Sequence, residues 1–276
     1  MPILTGEARV AGVLGWPIAH SRSPRLHGFW LERFRIDGAY VPIPARPEAF
    51  ATVVHGLHAA GFVGANVTVP HKQAAFALCD VVEETARRAG AVNLLTFRDG
   101  KIRGENTDGF GFVANLRAHG VDPSAGPALL FGGGGSARSV AAALQAEGTQ
   151  VAIAARRPEQ AEALAAIFGL QVVPWAERER ALADHALLVN TTSAGMVHNL
   201  PLALDLARAA PSATVVDIVY APLQTPLLRD ARAAGLRTVG GLGMLLHQAR
   251  PAFHAWFGVD PPVDDELYRF VAADLL

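Results

Sequence analysis

The sequence predicts an α/β protein of two units, the second a doubly wound parallel sheet. Three observations carry the prediction. Short apolar runs alternate with helical stretches along most of the chain, and a Pro- and Gly-rich connector, "VDPSAGP" (121–127), interrupts that alternation. Beyond the connector six further apolar runs are separated by Ala-rich stretches. At 276 residues, 51% hydrophobic and 18% charged, the chain has ample core for two such units.

The elements follow in order. "ARVAGVLG" (8–15) is a strand suited to burial on both faces, and "SPRLHGFWLERF" (23–34) is a helix with Ser23 as N-cap and Pro24 at the first helical position. "AYVPIP" (39–44) reads as a second strand, and 47–61 as a helix opened by Pro47 and closed at Gly61. "FVGANVTV" (62–69) is the third strand, with Asn66 and Thr68 on one face and Val67 and Val69 buried on the other. A helix starts at Pro70, a second helical piece covers "VVEETARRAG" (81–90), and "NLLTF" and "KIRG" form a hairpin about Asp99-Gly100. A helix spans 108–119. The six later strands are "ALLF" (128–131), "VAIA" (151–154), "LQVV" (170–173), "ALLVN" (186–190), "TVVDIV" (214–219) and "LRTVG" (236–240). The last 35 or so residues are helical without a strand partner and can pack back on the first unit.

Composition narrows the function. A formal charge of −1 and pI near 6.8 give no electrostatic footprint for nucleic acid or an anionic membrane, so small molecules are the expected partners. The single Cys79, with no secretory leader pattern, fits a cytoplasmic protein. The ten histidines lack metal-ligand spacing and read as surface residues.

Two motifs carry chemistry. "ALLFGGGGSAR" sets Gly132-x-Gly134-x-x-Ala137 between an apolar strand and an Ala-rich helix, the context a dinucleotide-binding turn requires. Gly132, Gly133, Gly134, Gly135, Ser136 and Ala137 thus form a candidate pyrophosphate cradle at a helix N-terminus. The next strand ends at Ala155, Arg156 and Arg157 without a carboxylate to hold a ribose 2′-hydroxyl, which favours NADP over NAD. Both arginines can equally be a solvated helix start.

The second motif is polar. Ser21 and Ser23 stand before a helix, where hydroxyls and backbone N–H groups can hold a carboxylate, or can be a plain cap. Of six asparagines, four fall in "ANVTVPHK", "AVNLL", "GENTDG" and "VNTTSAG". Lysine occurs only at Lys72 and Lys101 in a chain that otherwise writes its positive charges as Arg, so Lys72 is a candidate proton donor. A first-turn position disfavours its ammonium, while a nearby Asp108 favours it; the two can also be an ordinary ion pair.

These stretches, with "HSRSPRLH", "DIVYAPLQTPLL" and "GLGMLLHQA", occur in the order of one family. Over essentially its whole length the sequence resembles the shikimate dehydrogenases, NADP-dependent enzymes that reduce 3-dehydroshikimate to shikimate on the way to chorismate and the aromatic amino acids. The resemblance implies an α/β substrate domain, residues 1–107 completed by the C-terminal helices of 241–276, with a Rossmann-type NADP domain, 108–240, inserted between. It implies that Ser21 and Ser23 bind the substrate carboxylate with Tyr220 nearby, and that Asn66, Thr68, Asn93 and Gln248 contact the ring hydroxyls. Lys72 and Asp108 match the paired catalytic residues. The 132–137 turn with Arg156 matches the NADP site, joined by Arg157, Asn190, Thr192, Ile218, Gly241 and Met244. Three departures stand out: Leu94 where the family usually has Thr, Gly28 where it often has Asn, and Ala155-Arg156-Arg157 for Asn-Arg-Thr. The first leaves a quinate or aminoshikimate paralogue in play, and a non-catalytic sensor is the rival of another class. The oligomer expected is a monomer or homodimer.

Overall fold

The structure, a computed structural model, describes residues 3–275. It divides into two compact units: one runs to Thr107 and resumes over Gln248–Val271, and the other is built on Asp108–His247. The first holds a mixed six-stranded sheet, the second a parallel one. The return to the first unit falls inside a helix, between residues 247 and 248, whereas the sequence reading set it at 241.

In the first unit, β1 (Arg9–Gly15), α1 (Ser23–Arg33), β2 (Gly38–Pro44), α2 (Phe50–Ala59) and β3 (Gly64–Val67) alternate. They are followed by α3 (Lys72–Leu78), β4 (Val81–Val82), α4 (Glu84–Ala89), β5 (Leu94–Arg98) and β6 (Lys101–Glu105). The strand order is β2-β1-β3-β5-β6-β4, with β1 flanked in parallel by β2 and β3, and β5 and β6 running antiparallel. The hairpin turns as the sequence reading expected: Asp99 (φ 53°) and Gly100 (φ 70°) both take left-handed conformations, which a two-residue turn matched to strand twist needs. On one face Leu14, Ala65 and Val67 join Phe50 and Val54 of α2 in a core.

Local expectations fail here in five places. Ser23 is the first residue of α1 and not its cap, because Arg22 occupies the N-cap position with helical dihedrals and Ser21 Oγ accepts from Ser23 N at 3.4 Å. The helix expected from Pro47 opens as a short 3-10 turn, Pro47–Ala49, before α2. The third strand stops at Val67, so Val69 does not bury beside it and is 68% exposed. Lys72, not Pro70, opens α3, and the piece read as helical from 81 is β4 followed by α4.

The second unit contains α5 (Asp108–Ala118), β7 (Ala128–Phe131), α6 (Gly135–Ala146), β8 (Val151–Ala154), α7 (Pro158–Phe168) and β9 (Gln171–Val172). The chain continues through β10 (Leu187–Asn190), β11 (Thr214–Asp217), α8 (Pro226–Ala233) and β12 (Arg237–Val239) into α9 (Leu242–Phe257) and α10 (Asp265–Ala272). The order β12-β11-β10-β7-β8-β9, all parallel, is that of the Rossmann fold, with its reversal point between β7 and β10. Alternation explains the continuous apolar runs: Leu130, Ile153 and Val189 face one core, while Leu129, Ala152 and Leu188 face another. Two expected helical crossovers are absent. Between β9 and β10 run two 3-10 turns, and between β10 and β11 only Leu206–Arg208 is helical, in a stretch broken by Gly195, Pro201 and Pro211.

The histidines are not all at the surface. His27, His71 and His185 are at most 8% exposed; His71 Nε2 bonds Ala45 O at 2.8 Å, and His185 Nδ1 bonds Ala181 O at 2.6 Å. His27 instead packs with no polar partner for either ring nitrogen among the described residues, stacked on Tyr40 at 4.0 Å and edge-on to Trp30. No helix among the described residues is long and apolar enough to cross a membrane.

Candidate functional site

The first unit contains a continuous buried polar chain. The Tyr40 hydroxyl donates to Asn66 Oδ1 at 2.7 Å. Asn66 Nδ2 donates to Asn93 O at 3.0 Å. Asn93 in turn accepts at Oδ1 from Thr107 N (2.8 Å) and donates from Nδ2 to Thr107 Oγ1 (3.1 Å) and Gln248 Oε1 (3.3 Å). Five elements or loops meet in this chain, and three of its members, Asn66, Asn93 and Gln248, are residues the sequence reading proposed for the substrate. All are at most 8% exposed, so an uncompensated amide or hydroxyl here would cost about 1–3 kcal/mol.

Other candidates border this chain. Lys72, half-buried at the start of α3, accepts at its carbonyl from Val92 N at 2.9 Å and so lies one residue from Asn93. Thr68, just past β3, donates its backbone N–H to Leu14 O at 2.9 Å and is half-buried, as is Ser21. Asn106 is a latch: its backbone N–H bonds Thr85 Oγ1 at 3.2 Å, and its side chain bonds Ala91 O at 3.0 Å. Leu94, the departure from the family pattern, is paired with Asn66 across β3 and β5 and is 1% exposed.

In the second unit the four glycines after β7 divide by what surrounds them. A Cβ on Gly132 (φ 106°) would meet Thr192 Cγ2 at 2.5 Å, and one on Gly133 would meet Gln160 Cβ at 2.7 Å. Gly134 and Gly135 face open space, with no heavy atom within 4 Å of the same position. The inner pair therefore closes the turn against the fold, and the outer pair leaves backbone open at the N-terminus of α6, where no side chain caps and no acid stands in the first turn. Ala137, wholly buried, completes the pattern. Arg156 and Arg157 follow β8 on the surface, with no side-chain partner among the described residues. An uncharged cradle plus two available guanidinium groups, with no acid at the end of β8, fits a dinucleotide carrying a 2′-phosphate.

Asp108 is the buried first residue of α5, whose Gly109 packs against Ser139 and Ala143 of α6. Asn190, at 0% exposure, is fully engaged: Nδ2 donates to Asp217 Oδ1 and Ala194 O, both at 3.0 Å, and Oδ1 accepts from Thr192 N (3.1 Å) and Oγ1 (2.7 Å). It shapes the loop after β10. Gly241 permits close approach to Ile218, whose carbonyl oxygen would lie 2.2 Å from an added Cβ, and Met244 is 9% exposed in the core beside them. Tyr220 is half-buried in the loop after β11.

Sequence reasoning missed Tyr40, Thr107 and Asp217. Asp217 accepts from Asn190, from Val219 N at 3.0 Å and from Thr225 Oγ1 at 2.7 Å; burial pushes its carboxyl up to about 6, against these donors. Thr107 and Asp217 stand inside stretches already singled out, so an uncharged hydroxyl and a lone acid there were available signals. Tyr40 reads from sequence as core.

Comparison with known proteins accords with this geometry. Residues 13–95 match the family model of the shikimate dehydrogenase substrate binding domain, and 241–265 the shikimate 5′-dehydrogenase C-terminal domain. Residues 128–220 match the model of the coenzyme F420-dependent NADP oxidoreductases. The chain is 65% identical over 274 residues to the shikimate dehydrogenase (NADP(+)) of Acidiphilium cryptum, covering 99% of both, and 56% identical to that of Rhodospirillum rubrum, covering 96% and 97%. It is also similar to the Thermus thermophilus shikimate 5-dehydrogenase structure in complex with NADP(H) and shikimate, with TM-score 0.89, 38% identity and coverage of 97% and 100%. A Corynebacterium glutamicum quinate dehydrogenase in complex with NAD superposes with TM-score 0.88 at 29% identity, covering 97% and 99%. With full-length identity this high, and with the mixed sheet, the parallel sheet and their order along the chain all accounted for, the chain belongs to the NADP-dependent shikimate dehydrogenase family.

Proposed function

We propose that this protein catalyses the reversible, NADP-dependent reduction of 3-dehydroshikimate to shikimate, a step toward chorismate and the aromatic amino acids. The observation that carries the reading is the buried chain of uncharged donors and acceptors, Tyr40 to Gln248, one residue from Lys72. Amides and hydroxyls at fixed spacing suit a polyhydroxylated ring, and an ammonium suits an oxygen whose charge changes in the reaction.

In this reading Ser21 and Ser23, with Tyr220, hold the ring carboxylate, while Asn66, Thr68, Asn93 and Gln248 take the hydroxyls. NADPH, when bound, supplies the hydride. Lys72 and Asp108 handle the accompanying proton: the lysine ammonium donates toward the oxygen that gains charge, a transfer arginine cannot make at neutral pH. Arg156 and Arg157 bind the 2′-phosphate, the free N–H groups from Gly134 to Ala137 receive the pyrophosphate, and Asn190, Thr192, Ile218, Gly241 and Met244 shape the cofactor side. We place the protein in the cytoplasm, as a monomer or homodimer.

Leu94 gives a second reading specific content. A leucine in the register position opposite Asn66, where relatives commonly carry a threonine, changes the wall beside the ring and keeps a quinate-type preference as competitor. Initial rates followed at 340 nm on shikimate and quinate, each with NADP and NAD, separate the two. Shikimate with NADP is expected to turn over fastest; equal or faster oxidation of quinate with NAD overturns the proposal.

A further inference from the structure

We infer that Tyr40 is a positioning residue for ligand recognition, its hydroxyl holding the Asn66 amide at a second point. The inference rests on the ligand role proposed above for Asn66.

Asn93 O carries no hydrogen, so the Asn66 atom 3.0 Å from it must be the amide nitrogen. The opposite end of that amide, Oδ1, then faces Tyr40 at 2.7 Å and can only accept, so the phenol must donate. The chain has a single direction: Tyr40 to Asn66 to Asn93.

Two consequences bear on the ligand. Held by Asn93 alone, the amide plane is free to swing about the terminal torsion, which is broad for asparagine; Tyr40 supplies the second point that fixes it. One amide N–H of Asn66 then has no partner among the described residues, so Asn66 presents a donor, suited to a ketone or hydroxyl oxygen.

The surroundings hold the phenol in place. Tyr40 lies on β2 in register with Ala11 of β1, and that small side chain lets the ring reach across β1 toward β3. His27 stacks on the ring at 4.0 Å with 6° between planes, and Trp256 lies 5.9 Å away. Burial raises the phenol well above its ordinary pKa, so the hydroxyl keeps its hydrogen at any working pH.

The test compares Tyr40→Phe, which keeps the ring, with His27→Phe, which keeps the hydroxyl and the stack. Tyr40→Phe is expected to raise KM for shikimate about tenfold, the worth of one buried hydrogen bond, with kcat within about twofold and KM for NADP unchanged. His27→Phe is expected to leave KM for shikimate unchanged. In an Asn66→Ala background most of the Tyr40→Phe effect should vanish. An unchanged KM for shikimate in Tyr40→Phe, parallel rises in both KM values, an equal rise in His27→Phe, or full additivity with Asn66→Ala overturns the inference. Wild-type protein gives an independent reading: NMR should detect a slowly exchanging tyrosine hydroxyl proton close to the Asn66 amide, and its absence overturns the inference whether or not the variants fold. A failure confined to these tests leaves turnover of shikimate intact and is distinguishable from failure of the proposed function.

Discussion

Asn190 donates an amide hydrogen to Asp217 across 3.0 Å, and both residues are at 0% exposure. Three donors converge on that carboxylate, and Thr225 among them also caps α8 by accepting from Leu228 N at 3.3 Å. Asp217→Asn cannot accept all three, and is expected to lower unfolding free energy by about 1–3 kcal/mol in urea titrations while raising KM for NADP through the 191–194 loop. Because burial raises this carboxyl from 3.8 to about 6, the folded state binds its proton more tightly than the unfolded state, and the side chain's contribution falls as pH rises through that window. The stability gap between wild type and Asp217→Asn should therefore narrow between pH 4 and pH 7; a gap that widens would refute the assignment.

His27 has the opposite sign. Burial depresses its imidazole from 6.5 to about 3, so the unfolded chain takes up a proton the folded one refuses, and stability is lost as pH falls from 6.5 toward 3. His27→Phe removes that titration and two unpartnered nitrogens. Its melting temperature should exceed that of wild type at pH 7, by a margin that grows at pH 5; calorimetry at both values is the check.

The glycine turn predicts two different failures. Gly132→Ala puts a methyl 2.5 Å from Thr192 at φ 106°, and should lower thermal stability as well as NADP binding. Gly134→Ala meets no atom of the protein, so its melting temperature should stay near wild type while KM for NADP rises. A Gly134→Ala enzyme with normal KM for NADP would show that the open face is not used by the pyrophosphate.

Replacing Arg156 and Arg157 by alanine tests cofactor choice. Each charge-assisted hydrogen bond to a 2′-phosphate is worth about 1.5–3 kcal/mol, so kcat/KM for NADP should fall about 10- to 100-fold with the NAD value little changed. Equal losses with both cofactors would point to the fold and not to the phosphate.

Lys72→Ala should reduce kcat by about 10²- to 10⁴-fold with a smaller effect on KM for shikimate. If only KM moved, Lys72 would be a binding residue without a proton role.

Much of the fold is legible in sequence because its signals are local. Four-residue apolar runs between Ala-rich stretches give β7, β8 and β10, and Asp99-Gly100 gives the hairpin. What escapes is decided by partners far along the chain. Tyr40 meets Asn66 26 residues later and Asp217 meets Asn190 27 residues earlier, separations at which no spacing rule operates. His27 looked like a surface residue because a neutral imidazole packed among aromatic rings has the same letter as a solvated one. Ser23 misled because a serine before proline satisfies the cap pattern, whereas the helix takes Arg22 as its cap residue and Ser23 as its first.

The carbonyl of Asn93 also limits how such a chain can vary among descendants. The direction of the Tyr40 and Asn66 bonds begins at a main-chain oxygen, which any residue at position 93 supplies, while the Asn93 side chain is engaged separately by Thr107 and Gln248. Positions 40 and 66 are matched as donor and acceptor, and in sequences that descend from this one those two columns should be inherited jointly.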